Sequence, residues 1–157
     1  MTYRIAGLDP QLFAPLFALD DGALATRNAC RIEATSDRGY PCRISLDDAR
    51  KGEPVILAQF VSHPVLTPFR FAYAIYIRAG VEQADYVDRT PPAFAGRHLA
   101  LRGFTADAML EDAILLPPDG DDPVDAAVRG LFANPRIAYI HAHYAVNGCF
   151  AALIERN

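Results

Sequence analysis

Hydrophobic positions along the chain fall into runs of strand length more often than into helical stripes. Residues 69–78 alternate strictly: Phe69, Phe71, Tyr73, Ile75 and Ile77 share one face, and Arg70, Ala72, Ala74, Tyr76 and Arg78 the other. The first face is expected to be core. The second is a floor of small residues bracketed by arginines, which either receives a helix or leaves room for a ligand. Further strands are predicted over residues 2–7, 28–34, 54–61, 99–104, 109–116, 137–144 and 149–156. Helices are predicted over 11–18, opened by Asp9-Pro10, and over 20–26, with a single turn from Ser45 to Arg50 in which Ser45 is the cap and Asp48 sits three residues on. The best-defined helix starts at Asp122 as N-cap with Pro123 at its first position, and carries Val124, Ala127, Val128, Leu131 and Phe132 as one apolar stripe until Asn134-Pro135 ends it. The acidic cluster Asp119, Asp121, Asp122 and Asp125 is accounted for by the dipole of that helix.

Strand clusters without regular β-α-β alternation predict an α+β fold, with a mixed or mainly antiparallel sheet and helices packed on one side. The 157 residues, 52% hydrophobic and 22% charged, are sized for one core, so residues 1–157 are read as a single domain. A net charge of −4 without a basic cluster argues against a nucleic-acid partner. No apolar run reaches the roughly 18 to 20 residues of a membrane span, and the N-terminus has no leader pattern, so a cytoplasmic protein is expected. Cys30, Cys42 and Cys149 are too far apart for a zinc ribbon or redox doublet and are expected as free thiols. The basic residues are 14 Arg and one Lys, Lys51, a skew that a GC-rich genome produces by itself, so each Arg is weaker evidence of anion recognition than usual.

Two motifs concentrate reactive groups. His141 and His143, two apart on a predicted strand, point to the same face and suit either paired metal ligation or a general base with a second hydrogen-bonding group. Cys149 joins them only in one hairpin register. A two-residue turn at Asn147-Gly148 turns its thiol away, whereas a three-residue loop with Gly148 left-handed brings it onto the histidine face. The second motif, Gly39-Tyr40-Pro41-Cys42-Arg43, sets a thiol and a guanidinium just ahead of the turn predicted at Ser45, where backbone amides favour a thiolate or a bound anion. Elbow, Walker, dinucleotide and metalloprotease signatures are absent from the chain.

These motifs, together with Tyr3-Arg4-Ile5, Gly7-Leu8, Ser45-Leu46, Asp48-Ala49, Gly52-Glu53, Arg70 and Ala74-Ile75, resemble a family of small, mostly bacterial proteins known only as a domain of unknown function. The resemblance spans nearly the whole chain and carries no assigned activity, cofactor or catalytic residue. The residues therefore bear the functional reading alone: a site for a small anionic or carbonyl-containing molecule. Arg43, Arg70 and Tyr40 are read as ligand-binding, Cys42 as the thiol, and His141 or His143 as the base. The alternatives are a metal site built from His141, His143 and Cys149, and an interaction module that dimerises through a sheet edge.

Overall fold

The computed structural model describes residues 1–118 and 123–157. Asp119, Asp121 and Asp122, and with them the predicted N-cap, lie outside the described residues.

Nine strands build two antiparallel sheets instead of one. In chain order they are β1 (Tyr3–Ala6), β2 (Ala29–Glu33), β3 (Pro54–His63), β4 (Phe71–Ile77), β5 (Asp85–Val87), β6 (Leu99–Phe104), β7 (Leu110–Leu116), β8 (Tyr139–Tyr144) and β9 (Cys149–Arg156). Six of them pair in the order β5-β1-β9-β8-β6-β7, and three in the order β2-β3-β4. The protein is thus more β-rich than an α+β sheet backed by helices on one side. Expected helical segments shrink accordingly. The first breaks at Phe13 into a 3-10 turn, Pro10–Leu12, and the single turn α1 (Ala14–Phe17), followed by α2 (Asp21–Ala25), which is capped by the Asp20 side chain. Strand β5, in a stretch of weak pattern, was not anticipated from the sequence.

The long helix α3 (Pro123–Ala133) buries Val124, Val128, Leu131 and Phe132 in one apolar cluster with Tyr3, Ile5, Leu99, Leu101, Ile140, Ala142 and Ile154 of the larger sheet. Its C-terminus is closed by Arg156, which donates to the carbonyls of Phe132, Asn134 and Ile137 and lies over the Phe132 ring. On strict alternation Ile140, Ala142 and Tyr144 face α3, so His141 and His143 point to the other side. There the three-stranded sheet meets them: the ring of His63 lies 4.7 Å from that of His141, and Phe71 lies 5.0 Å from His143. A strand covered on both faces has no exposed side, and β8 is buried from Ile140 to Tyr144.

The smaller sheet packs Ile56, Ala58, Ile75 and Ile77 against Phe13, Leu24, Cys42 and Ile44. The expected core face of β4 is therefore core at Ile75 and Ile77, while Tyr73 is half exposed. On its other face Ala72 and Ala74 line an open groove with Leu57 and Gln59, and Arg78 is buried.

No helix starts at Ser45. The side chains that resemble a cap are engaged elsewhere: Ser45 donates to Asp47, Asp47 receives Arg78, and Asp48 accepts the backbone N–H groups of Gly39 and Tyr40. Leu46 turns through φ 51°, and Pro41 bridges Asp48, so the segment is a tight turn. Ser and Asp serve both geometries, because each supplies an acceptor within reach of nearby N–H groups.

Candidate functional site

Cys42 and Arg43 run beside β4 in a parallel bridge, Cys42 to Tyr76, and the Arg43 N–H donates to the Tyr76 carbonyl at 2.9 Å. On the other side the Arg43 carbonyl accepts from Leu8 at 2.7 Å. With its backbone fixed from both sides, the Arg43 side chain reaches the β8–β9 hairpin. Its Nε donates to the Phe150 carbonyl at 2.7 Å, one Nη to the Pro41 carbonyl, and the other to the Cys149 sulfur at 3.1 Å. The guanidinium carbon sits 4.8 Å from the centre of the Tyr144 ring. Arg43 is 2% exposed, and among the described residues no carboxylate forms an ion pair with it.

The hairpin takes neither of the turns considered from sequence. Tyr144 pairs with Cys149, so the loop is the four residues Ala145-Val146-Asn147-Gly148, closed by a 2.7 Å bond from the Gly148 N–H to the Tyr144 carbonyl. Gly148, at φ 74°, makes the left-handed step. A register shift follows between Ala142 and His143, which sets Phe150 opposite His143 and Ala152 opposite Ala142. Cys149 therefore shares its face with Tyr144 and is turned away from His141 and His143. The His-His-Cys constellation is not assembled.

A cleft of about 270 Å³ opens beside this group, lined by Arg43, Arg97, His98, Tyr144, Asn147 and Cys149, among others. Its rim is rigid. Arg97 grips Asp48 through two bonds of 2.7 and 2.9 Å and also lies over the Tyr144 ring. Burial works against the Asp48 charge, but Arg97 and the N–H groups of Gly39 and Tyr40 outweigh it and hold the carboxyl below its ordinary range. The Tyr144 hydroxyl is buried without a hydrogen-bond partner among the described residues. Burial pushes that phenol up to about 12, so it stays protonated at neutral pH.

The remaining residues singled out by sequence divide between places. Cys42 is fully buried among Phe13, Ile44, Ile75 and Ile77 and does not line this cleft. Tyr40 packs its ring 5.3 Å from Tyr76, and its hydroxyl lies 3.0 Å from that of Thr35. Arg70, His141 and His143 come together in a second cavity, where the two sheets meet, with His63 and Arg102. Burial, reinforced by the neighbouring His63, pushes His141 down to about 3. Burial and Arg102 push His143 down to about 4, so both rings are neutral at pH 7. Among the described residues no group of three or more His, Cys, Asp or Glu is placed to hold a metal ion.

Arg97, His63 and Tyr144 were not anticipated. Tyr144 ends a strand that was predicted, whereas His63 lies two residues beyond the strand expected over 54–61, which in the fold runs on to it. Nothing local marks either, because His63 meets Tyr139, 76 residues away, and the Tyr144 hydroxyl has no hydrogen-bond partner among the described residues.

The class these features define is a two-sheet antiparallel protein with one α-helix on its larger sheet and a cationic, thiol-bearing cleft at a hairpin end. A family model described as "Protein of unknown function (DUF1203)" matches residues 39–156, and the chain belongs to that family. The match covers both motif segments, from Gly39 to Arg43 and from His141 to Cys149. No curated protein and no solved structure matches the chain.

Proposed function

We propose that this protein binds a small anionic or carbonyl-containing molecule in the cleft beside Arg43 and acts on it through the thiol of Cys149. The observation that carries the reading is a buried guanidinium that touches a thiol and has no carboxylate partner among the described residues. A buried charge is strongly disfavoured unless it is paired, so the environment of Arg43 favours a ligand that brings a negatively charged oxygen. Three of its five N–H donors are used within the protein, which leaves two for a ligand. The reactive thiol thereby moves from Cys42, which no small molecule reaches in its buried position, to Cys149.

The cleft fits a molecule of a few heavy atoms, since pockets for drug-sized ligands run from about 300 Å³ upward. For a ligand with both a carboxylate and a carbonyl, Arg43 holds the carboxylate and the sulfur adds to the carbonyl carbon. The S–C bond forms, the C=O π bond breaks, and the thiol proton ends on the former carbonyl oxygen. The protonated Tyr144 hydroxyl is the donor available to stabilise that oxygen as charge develops on it. No further reactant is required for this reversible addition.

Glyoxylate carries both groups and is the probe. It is expected to protect Cys149 from alkylation at millimolar concentration while leaving the exposed Cys30 unprotected. Tyr144→Phe removes a buried hydroxyl that has no partner, so the variant should be as stable as the parent to within about 1 kcal/mol. It should nevertheless need roughly tenfold more glyoxylate for the same protection. Equal protection in parent and variant removes Tyr144 from the account, and an absence of protection in the parent argues against the reading itself.

A further inference from the structure

We infer a second small-molecule site, separate from the Cys149 cleft, in the cavity between the two sheets, shaped for an apolar or aromatic carboxylate that meets His141 at its floor and Arg70 and Arg102 at its mouth. The cavity is about 360 Å³. It lies on the opposite face of β8 from Tyr144 and Cys149, so a molecule cannot occupy both places at once.

The three histidines at this cavity differ in how far hydrogen bonds to the described residues satisfy them. His63 is committed at both nitrogens. Its Nδ1 donates to the Phe69 carbonyl at 2.8 Å, since a carbonyl only accepts, and its Nε2 accepts from the Tyr139 hydroxyl at 2.7 Å. His143 donates from Nδ1 to the Gly148 carbonyl at 3.2 Å. His141 is 4% exposed, lines the cavity, and makes no hydrogen bond with any described residue. A neutral imidazole carries one donor and one acceptor, and neither His141 nitrogen is among the fully enclosed orphan atoms of the described residues, so both remain open to an occupant of the cavity. An occupant that accepts from His141 pairs the donor that no described residue meets.

The other contacts specify the occupant. Phe69, Phe71 and Phe104 wall the cavity, which favours a ring or an aliphatic body. Arg70 is exposed, and Arg102 is half-buried with its guanidinium 5.8 Å from the Phe71 ring centre; among the described residues neither has a carboxylate partner. Two unpaired guanidinium groups above a hydrogen-bond donor select an anion, and the aromatic walls select what it is attached to. The inference stands apart from the reading of Cys149, because it uses none of that cleft's residues.

Benzoate titrated into the 15N-labelled protein tests it, read by the imidazole nitrogen resonances of the chain's four histidines. His141 and His143 should shift in a saturable way while His98, which lines the other cleft, does not. Arg102→Gln should weaken the effect roughly tenfold, as expected for loss of one charged hydrogen bond, with the fold intact because Arg102 makes no ion pair among the described residues. Unmoved His141 resonances at about 10 mM benzoate, where a millimolar site would be largely filled, overturn the inference. So does benzoate that protects Cys149 without moving His141, or benzylamine that shifts His141 as strongly as benzoate does.

Discussion

Lowering the pH from 6.5 to 4.5 is expected to cost the folded protein about 4 kcal/mol, most of it traceable to His141 and His143. In the fold these side chains are pushed down to about 3 and about 4, against an unperturbed value of about 6.5 in the unfolded chain. Between those limits the unfolded state binds more protons than the folded one, so stability rises with pH and is lost as pH falls below 6.5. The window separates this effect from the carboxylates. Asp48 is held low by Arg97 and the backbone N–H groups of Gly39 and Tyr40 against the effect of its burial, and its stabilisation is lost only as pH falls below about 4. Denaturant titrations at several pH values give the slope. His141→Phe, which places a ring of similar size among Phe104, Phe150 and His63, should remove about half of it. A parent protein equally stable at pH 6.5 and 4.5 would mean that water reaches these rings in the fold.

The second large effect is expected at Gly7. A Cβ there would lie 1.9 Å from the Ile44 carbonyl oxygen and 2.8 Å from its carbon, both backbone atoms. The close approach has a purpose. Gly7 donates to Ala84, Ala84 donates to Ile44, and Leu8 donates to the Arg43 carbonyl, so three chain segments are stitched together at the backbone of Arg43 and Ile44. Gly7→Ala must push the Ile44 carbonyl aside and break the Ala84 bond. A loss of about 4 kcal/mol or more is expected, in the range reserved for overpacking against fixed structure. The midpoint of urea unfolding checks it, and a loss under about 1 kcal/mol would show that the segments part easily. Because the same displacement moves Arg43, any folded fraction should also lose glyoxylate protection of Cys149.

The strands were legible where one face alone is buried or where a turn residue ends the run. The β9 boundaries match the prediction, and β6 and β7 flank Thr105-Ala106-Asp107 as expected. The division into two sheets was not legible, because pairing between distant segments such as β1 with β9 leaves no local trace. The site was half legible. Gly39 to Arg43 and His141 to Cys149 were identified as the reactive segments, and Arg43 with Cys149 does form a cluster. What failed was register. A four-residue loop and the shift after Ala142 decide the face of each side chain, and Val146-Asn147-Gly148 is equally compatible with shorter turns. Arginine gives little signal in the sequence for a different reason: composition explains 14 of them, and what sets Arg43 apart from Arg78, which is buried too, is that Arg78 meets Asp47 and Glu53, while Arg43 has no carboxylate partner among the described residues.

The most direct test of the Arg43–Cys149 cleft compares iodoacetate with iodoacetamide on the native protein, with adducts counted separately at Cys149 and Cys30. The reagents differ chiefly in charge, and the exposed Cys30 supplies the reference for their intrinsic reactivity. With a guanidinium 3.1 Å from its sulfur, Cys149 should favour the anionic reagent, relative to Cys30, by roughly tenfold. The same reagent ratio at both cysteines, or a Cys149 that neither reagent reaches before denaturation, would contradict the account.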